Sequence, residues 1–504
     1  MAQEIELKLA FPARSRKQLL NHPLIRGAER LGAAQTLINT YFDTPDLVLG
    51  RARVALRTRK AGRLCLQTVK CAAASQGGLS SRPEWEQPFS GEFDFSAVAD
   101  APRALLEAHR AAIVPLFSTD FRRETFVLAP AAGVRVLAMI DLGKISAAGR
   151  EEDICELELE LDTGTAEDLW ALAIQLAADL PLLPYDPSKA ARGYRLYRDE
   201  PVRPAKAQAS AVRPEMSAVG AFKQLAFQIL HDWQANTFGA LYLDSPDFVH
   251  QMRVALRRLR TLIRAFAKVL PPDYVAAWAD ELAEAANGVG TTRDLDVLLA
   301  HVLSPVMAEG GEDAVLALQE RCEAARQEAR LAARDLMRQR RSGEALLRFA
   351  RDLYSLPESA DAMSLPAFAH ACLRGLRKRQ LVRLAEAQAE PLAENLHQLR
   401  IGFKRLRYTL EFFAPLCAQK SLGAYLKQLA SLQDDLGYLH DLDVAQAYFD
   451  AWSTRAPQLR EAAGFVRGWH APRARELKKA VLIRAAELLE SRSPWRKLNK
   501  HARP

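Results

Sequence analysis

Residues 154–161 read ICELELEL and residues 4–8 read EIELK. Successive side chains of a strand point to opposite faces. Glu156, Glu158 and Glu160 therefore share one face, with Leu157, Leu159 and Leu161 on the other. In the first stretch Glu4, Glu6 and Lys8 stand opposite Ile5, Leu7 and Leu9. One such strand alone reads as an ordinary amphipathic strand with a wet outer face. Carboxylates two residues apart on a strand, however, lie about 7 Å from each other and repel, which calls for a cation. Cations of the same strand phase lie between the two acidic stretches: Arg57 and Arg59 in ALRTR, Lys70 in LQTVK and Arg82 in RPEWE. Arg122, Arg123, Asp141 and Lys189 add charges on predicted strands or at their ends.

If these strands close into a barrel, the polar faces line a tunnel holding both signs of charge. Clustered carboxylates suit Mg²⁺ or Mn²⁺. Arginine and lysine around the same space suit a polyanion, because guanidinium matches phosphate with paired hydrogen bonds. Metal and cations around a phosphate chain are the apparatus of phosphoryl transfer, where catalysis is mostly positioning and charge stabilisation. No Ser/His/Asp triad, Cys/His pair, GxGxxG or Walker-type loop competes with that reading.

Further strands are expected at 54–59, 64–70, 125–128 and 134–141, and helices at 15–21, 101–112 and 166–180. Near residue 200 this texture ends. Residues 201–214 carry three prolines without an apolar period and read as a semi-rigid linker. Beyond them, stretches rich in Ala, Leu, Arg and Glu with apolar residues at helical spacing run almost to the end, predicting an all-helical second half. Charge divides at the same place. Residues 1–200 hold 25 Lys and Arg against 27 Asp and Glu, and residues 201–504 hold 44 against 34. The basic back half implies an anionic partner, whether nucleic acid, acidic membrane or polyphosphate.

The second half repeats itself. His250 and His397 are 147 residues apart, and so are Arg253 and Arg400, Arg257 and Lys404, and Arg260 and Arg407. GTTRDLDV at 290 answers GYLHDLDV at 437 with the same offset. A duplicated helical unit about a pseudo-twofold axis follows. Within each copy the four residues stand at i, i+3, i+7 and i+10, one stripe of a helix. Two facing basic stripes make a cleft for an anion. Nucleic acid is the weaker candidate, because the stripes carry no alternating exposed aromatics to stack on bases. Asp294, Asp296, Asp441 and Asp443 are expected to cap helices or brace the arginines.

At 504 residues, with 49% hydrophobic and 26% charged residues, the chain can bury sizeable cores and is not disordered as a whole. No stretch approaches the roughly 20 apolar residues of a membrane helix. Charges at Glu4, Glu6 and Lys8 interrupt any signal-peptide core. Six scattered cysteines without a CxxC pair argue for reduced thiols, so cytoplasm is the expected compartment.

EIELK, the paired basic strands, ICELELE and the later SKAARGY of 188–194 resemble the CYTH superfamily of triphosphate tunnel metalloenzymes, over residues 1 to about 200. The nearest likeness is to bacterial inorganic triphosphatases that carry a second, CHAD domain. HQMRVALRRLR and LHQLRIGFKRLRY with their DLDV segments resemble that domain over roughly 215–504. The resemblance implies an α+β chain: an antiparallel eight-stranded tunnel in 1–200, a linker in 201–214 and a duplicated all-α bundle in 215–504. It implies hydrolysis of inorganic triphosphate to pyrophosphate and phosphate with Mg²⁺ or Mn²⁺. Glu4 and Glu6 would bind metal with Asp141, Glu156 and Glu158, while Glu4, Glu6 and Lys8 form the catalytic set. Lys8, Arg57, Arg59, Lys70, Arg82, Arg123 and Lys189 would grip the phosphate chain. Arg123 is preferred to Arg122, Glu84 joins the metal side or orients a basic neighbour, and Glu160 sits at the tunnel mouth or the surface. His250, Arg253, Arg257, Arg260, His397, Arg400, Lys404 and Arg407 would bind inorganic polyphosphate, and some relatives accompany polyphosphate granules. A polyphosphate-binding adaptor with an idle tunnel, and a nucleoside or thiamine triphosphatase, remain as alternatives.

Overall fold

The computed structural model describes residues 3–71, 75–243, 245–339, 342–358 and 363–501. Contacts divide the chain into two units, 1–204 with 338–352, and 205–337 with 353–504.

The first unit is built on eight strands: β1 (Gln3–Ala10), β2 (Gln35–Asp43), β3 (Val54–Ala61), β4 (Leu64–Cys71), β5 (Leu79–Pro88), β6 (Val114–Leu128), β7 (Arg135–Ala147) and β8 (Arg150–Thr163). They pair antiparallel in the order β1-β8-β7-β6-β2-β3-β4-β5, and β5 pairs back onto β1. The sheet therefore has no free edge among these strands and closes into a barrel. The expected strand at 125–128 is only the end of the 15-residue β6. β2 was not anticipated, although TLINTYF alternates and is rich in β-formers.

Register decides what the interior holds. Lys8 lies opposite Glu158, Glu156 opposite Asp141, and Asp141 opposite Arg123. Arg59 lies opposite Asn39, and Lys70 opposite Glu84. Charged residues thus form a continuous inner band. The alternate residues Leu7, Leu9, Leu157 and Leu159 are fully buried on the outer face of the barrel. Helix α2 (Ala166–Asp179) covers them with Leu169, Trp170, Leu172 and Leu176, its first turn closed by a Thr165–Asp168 capping box. Helix α1 (Asp100–His109) lies earlier in the chain, and α3 (Lys189–Tyr197) packs on β6, β7 and β8. Carboxylates of the acidic strands face the barrel interior and their leucines the packed outer side, so the wet outer face of a lone amphipathic strand does not apply here.

The second unit is helical: α4 (Ala218–Tyr242), α5 (Pro246–Phe266), α6 (Pro272–Gly288), α7 (Gly290–Val297) and α8 (Glu312–Gln339), then, after α9 (Ser342–Tyr354), α10 (Leu365–Ala389), α11 (Ala393–Phe412), α12 (Gln419–Arg455) and α13 (Leu459–Glu490). The starts of α4 and α10, α5 and α11, α6 and α12, and α8 and α13 are each 147 residues apart. The repeat is therefore one of whole helices, not of motifs alone. One mate differs in continuity: α6 and α7 break at Val289, after Asn287 and Gly288, whereas α12 runs unbroken through Asp434, Asp435 and Leu436. Glycine is a weaker helix former than the aspartate that replaces it in the second copy, which favours the break in the first. Residues 205–213 have no regular structure but are tied to the second unit, Asn236 bonding both backbone groups of Ala205 and Ser210 Oγ donating to the Phe412 carbonyl. No helix among the described residues is long and apolar enough to cross a membrane.

Candidate functional site

Three interior carboxylates, Asp141 on β7 and Glu156 and Glu158 on β8, bring oxygens within 4.8 Å of one another. Asp141 and Glu156 are buried, so their mutual repulsion demands positive charge. α3 supplies it from outside the ring. Ser188 caps the helix through the Ala191 N–H, and Lys189 and Arg192, three residues apart, project from the same side. Lys189 Nζ lies 2.8 Å from Asp141, 2.7 Å from Glu156 and 2.8 Å from Glu158. Arg192 holds the second oxygen of Glu156 and is itself held by Glu152 at 2.6 Å. Arg123 of β6 donates to both oxygens of Asp141, at 2.7 and 2.6 Å, and to Glu158 at 2.5 Å. Burial alone would raise the Glu158 carboxyl; Lys189, Arg123 and Lys8 outweigh it and hold it well below the ordinary range. The same carboxylates raise Lys189 against its own desolvation.

These groups edge a cavity of about 1020 Å³ that also receives Glu6, Lys8, Arg57, Arg59, Lys70 and Glu84. Glu6 accepts from Ser80 Oγ at 3.1 Å and Lys8 Nζ donates to the Pro187 carbonyl. Lys70 pairs with Glu84 at 2.8 Å, while Arg57 Nη2 stands 3.7 Å from the same carboxylate. Arg57 Nε and Nη2 are buried with no hydrogen-bond acceptor, which fits donors awaiting an anion. Arg59 is pushed down to about 10 by burial and by Arg57 and Arg123, and Lys8 is lowered mainly by burial. Arg59 and Lys8 are thus held below their ordinary values on one side, whereas Asp141, Glu156 and Glu158 are each paired with Lys189, Arg123 or Arg192 on the other.

The structure brings Glu6, Lys8, Arg57, Arg59, Lys70, Arg123, Lys189 and Glu158 to one cavity, with Asp141 and Glu156 directly behind. Arg123 faces inward, and Arg122 is exposed beside Glu124 on the other side of β6. The side chains of Glu4 and Arg82 lie outside the described residues; their backbones oppose each other where β1 meets β5. Glu160 also lines the cavity. Asn39, Tyr41 and Arg192 were not anticipated. Asn39 is fully buried, bonds Thr119 at 2.8 Å and accepts from Arg59 Nε at 3.1 Å, and only its central place in an alternating stretch could have flagged it.

In the second unit, α5 and α11 border a separate groove of about 1040 Å³ lined by His250, Arg257, Arg400, Lys404, Arg407 and Arg293, among others. The Nε atoms of Arg253, Arg257, Arg260 and Arg400 are buried without an acceptor. Burial, followed by Arg400 and Arg257, pushes Lys404 down to about 6; burial with Arg293 and Arg257 pushes His250 down to about 4. Arg253 is braced instead, donating to the Ala286 carbonyl at 2.9 Å beside Asp294. Its mate Arg400 has Asp441 in the matching place. His397 shares a 3.0 Å hydrogen bond with His440, which is pushed down to about 3 by burial and Arg400. His440 falls within the repeated GYLHDLDV motif, where its mate is Arg293.

Residues 2–194 match the CYTH domain and residues 224–450 the CHAD domain. Over 199 residues the chain is 33% identical to the inorganic triphosphatase of Haemophilus influenzae, covering 39% of this chain and 55% of that one. It is 28% identical over 279 residues to an uncharacterised protein of Mycobacterium tuberculosis, covering 52% of each. The chain thus spans about half the length of these curated relatives. The crystal structure of the CHAD domain from the plant Ricinus communis is similar with a TM-score of 0.50 and 31% identity, over 58% of this chain and 98% of that one. The chain belongs to the CYTH and CHAD families, with a CYTH domain followed by a CHAD domain.

Proposed function

We propose that the barrel hydrolyses inorganic triphosphate to pyrophosphate and phosphate, and that the helical groove binds inorganic polyphosphate. The observation that carries the first part is the two-signed cavity: Glu158 on one wall, with Asp141 and Glu156 clustered behind it, and Lys8, Arg57, Arg59 and Lys70 around the rest. The 33% identity to a triphosphatase supports the same reading.

Asp141, Glu156 and Glu158 fit a hard divalent cation, since three carboxylates within 4.8 Å, two of them buried, offer only oxygen ligands and already attract an ammonium to their centre. Such an ion, Mg²⁺ or Mn²⁺, would neutralise phosphate oxygens and acidify a bound water. The chain's own residues do the rest. Arg57, Arg59 and Lys70 hold the phosphate chain across the cavity. Lys8, fixed by the Pro187 carbonyl, and Arg123, fixed by Asp141, meet it from the β1 and β6 sides. Glu6, steadied by Ser80, would take a proton from the attacking water. In the groove, the Nε atoms of Arg257 and Arg400, buried without an acceptor, support a phosphate-chain ligand.

The test is phosphate release from inorganic triphosphate, ATP and thiamine triphosphate, each with Mg²⁺, Mn²⁺ or chelator. Metal-dependent preference for inorganic triphosphate is expected. Silence on all three, in folded protein that still binds polyphosphate, would replace the enzyme with an adaptor.

A further inference from the structure

The 147-residue repeat is broken at one place in a way that creates a second cationic cavity. Arg258 of α5 is well compensated. Its Nη1 donates to Glu411 at 2.6 Å, Asp232 lies in its field, and the rings of Tyr408 and Phe412 lie against its guanidinium at 5.6 and 5.2 Å. The mate of Arg258 is Arg405. The same offset carries Glu411 to Arg264, Asp232 to Arg379, Tyr408 to Thr261 and Phe412 to Ala265. Two carboxylates are exchanged for guanidinium groups, and two aromatic rings for small side chains.

The consequences follow from size and charge. Thr261 and Ala265 leave open the space the rings fill in the other copy, and a cavity of about 650 Å³ stands there. Arg264, Lys268, Arg379, Arg383 and Arg405 line it, and no carboxylate among the described residues does. Gly402 stands where the mate is Ala255; a Cβ at Gly402 would collide with Gln380 and Arg383, so the glycine admits Arg383. Burial, with Arg264 and Arg383, pushes Arg405 down to about 10. Five like charges without a counter-ion are costly unless an anion joins them. The remaining wall is apolar, with Phe368, Leu376, Met363 and Val269. The volume falls within the roughly 300–1,000 Å³ of small-molecule sites.

We propose that this cavity is a second anion site of the helical unit, distinct from the His250–Lys404 groove, and that it takes a small organic phosphate. The phosphate head meets Arg379, Arg383 and Arg405, and the apolar body lies against Phe368 and Leu376. A bare phosphate would leave that apolar wall unused, which separates this site from a groove suited to phosphate chains.

Titration calorimetry of the full chain with 1-naphthyl phosphate in chelator tests it, with inorganic phosphate as the head alone. Saturable binding is expected, roughly tenfold or more tighter than inorganic phosphate, since the ring adds buried apolar contact. Arg379→Gln with Arg405→Gln should weaken it by roughly tenfold or more, as charge-assisted contacts are lost. Arg264→Glu restores the carboxylate found in the other copy. It should pair with Arg405 as Glu411 pairs with Arg258, abolish binding and leave the unfolding temperature unchanged or raised. Absence of saturable binding, equal affinity for inorganic phosphate, or binding that survives Arg264→Glu in folded protein would each overturn the proposal.

Discussion

Lys404 sits in the groove with Arg400, Arg257 and Arg253 as neighbours, and burial with these charges pushes its ammonium from 10.5 down to about 6. At pH 8 it is therefore mostly neutral in the free protein. An anion in the groove favours the charged form, so binding takes up a proton. Polyphosphate affinity should fall as pH rises above about 6, by up to roughly tenfold per pH unit for one coupled proton, and flatten below it. Lys404→Arg, which stays charged, should bind more tightly at pH 8 and lose this slope; an unchanged slope in titrations from pH 5.5 to 8.5 would exclude Lys404 as the source. The linkage to folding runs the same way. The unfolded chain binds this proton between pH 6 and 10.5 and the folded one does not, so the depression costs stability that returns as pH rises toward 10.5. Lys404→Met should accordingly raise the unfolding temperature at pH 7 while weakening polyphosphate binding. In the barrel, Glu6→Gln should abolish turnover on inorganic triphosphate without loss of fold, because the amide keeps the shape but takes no proton. At this scale the sequence was legible where residues alternate: EIELK and ICELELEL place their carboxylates on one face without any structure. It was less decisive where phase was ambiguous. Adjacent Arg122 and Arg123 differ only by which side of β6 each occupies, and a single-residue shift would exchange them, so the preference for Arg123 rested on one residue of register. Asn39 was hidden altogether, since a buried amide that steadies Arg59 looks in sequence like any polar strand residue.

The strands show why such placement is strict. Gly143 of β7 pairs with Phe121 of β6, where a Cβ would overlap the Asp120 carbonyl and the backbone of Phe121. Phe121 lines the cavity two residues before Arg123. Gly143→Ala should force β6 away, destabilise the barrel by about 1–3 kcal/mol in urea unfolding, and lower turnover by displacing Arg123 from Asp141 and Glu158. Unchanged stability and turnover would show that the crossing is softer than its geometry implies. Element identity was readable where period and composition agreed, as along β1, β3, β4 and β8. β6 was cut short because FSTDFRRET carries Asp120, Arg122 and Glu124 on one face and Arg123 on the other, so no apolar period marks the stretch. The helical repeat was legible for a different reason. An offset of 147 residues needs no knowledge of contacts, and the four paired helix starts keep it. What the offset cannot convey is where the two copies diverge in environment, which is how Arg258 comes to be paired and Arg405 surrounded by cations.

At the scale of the whole chain, the proposed function joins on one polypeptide a site that would break a phosphoanhydride bond and a groove that would hold phosphate chains. Covalent linkage raises the effective concentration of each site near a ligand bound by the other, even without cooperativity between them. Separable sites make a double dissociation the decisive observation. Glu156→Gln turns a proposed metal ligand into a neutral amide and removes the carboxylate that pairs with Lys189 and Arg192; it should reduce triphosphate turnover by orders of magnitude and leave polyphosphate binding intact. Arg257→Ala with Arg400→Ala removes two cations from the groove wall. It should weaken polyphosphate binding, reduce the dependence of log affinity on log salt by roughly one per cation lost, and spare turnover on free triphosphate. If both variants depressed both activities alike, the sites would be one coupled machine, and recruitment would not account for the linkage. If instead each variant failed in its own assay alone, the enzyme and the binding module would be independent. The benefit of joining them would then appear only in turnover at substrate concentrations too low to fill the barrel without a bound polyphosphate nearby.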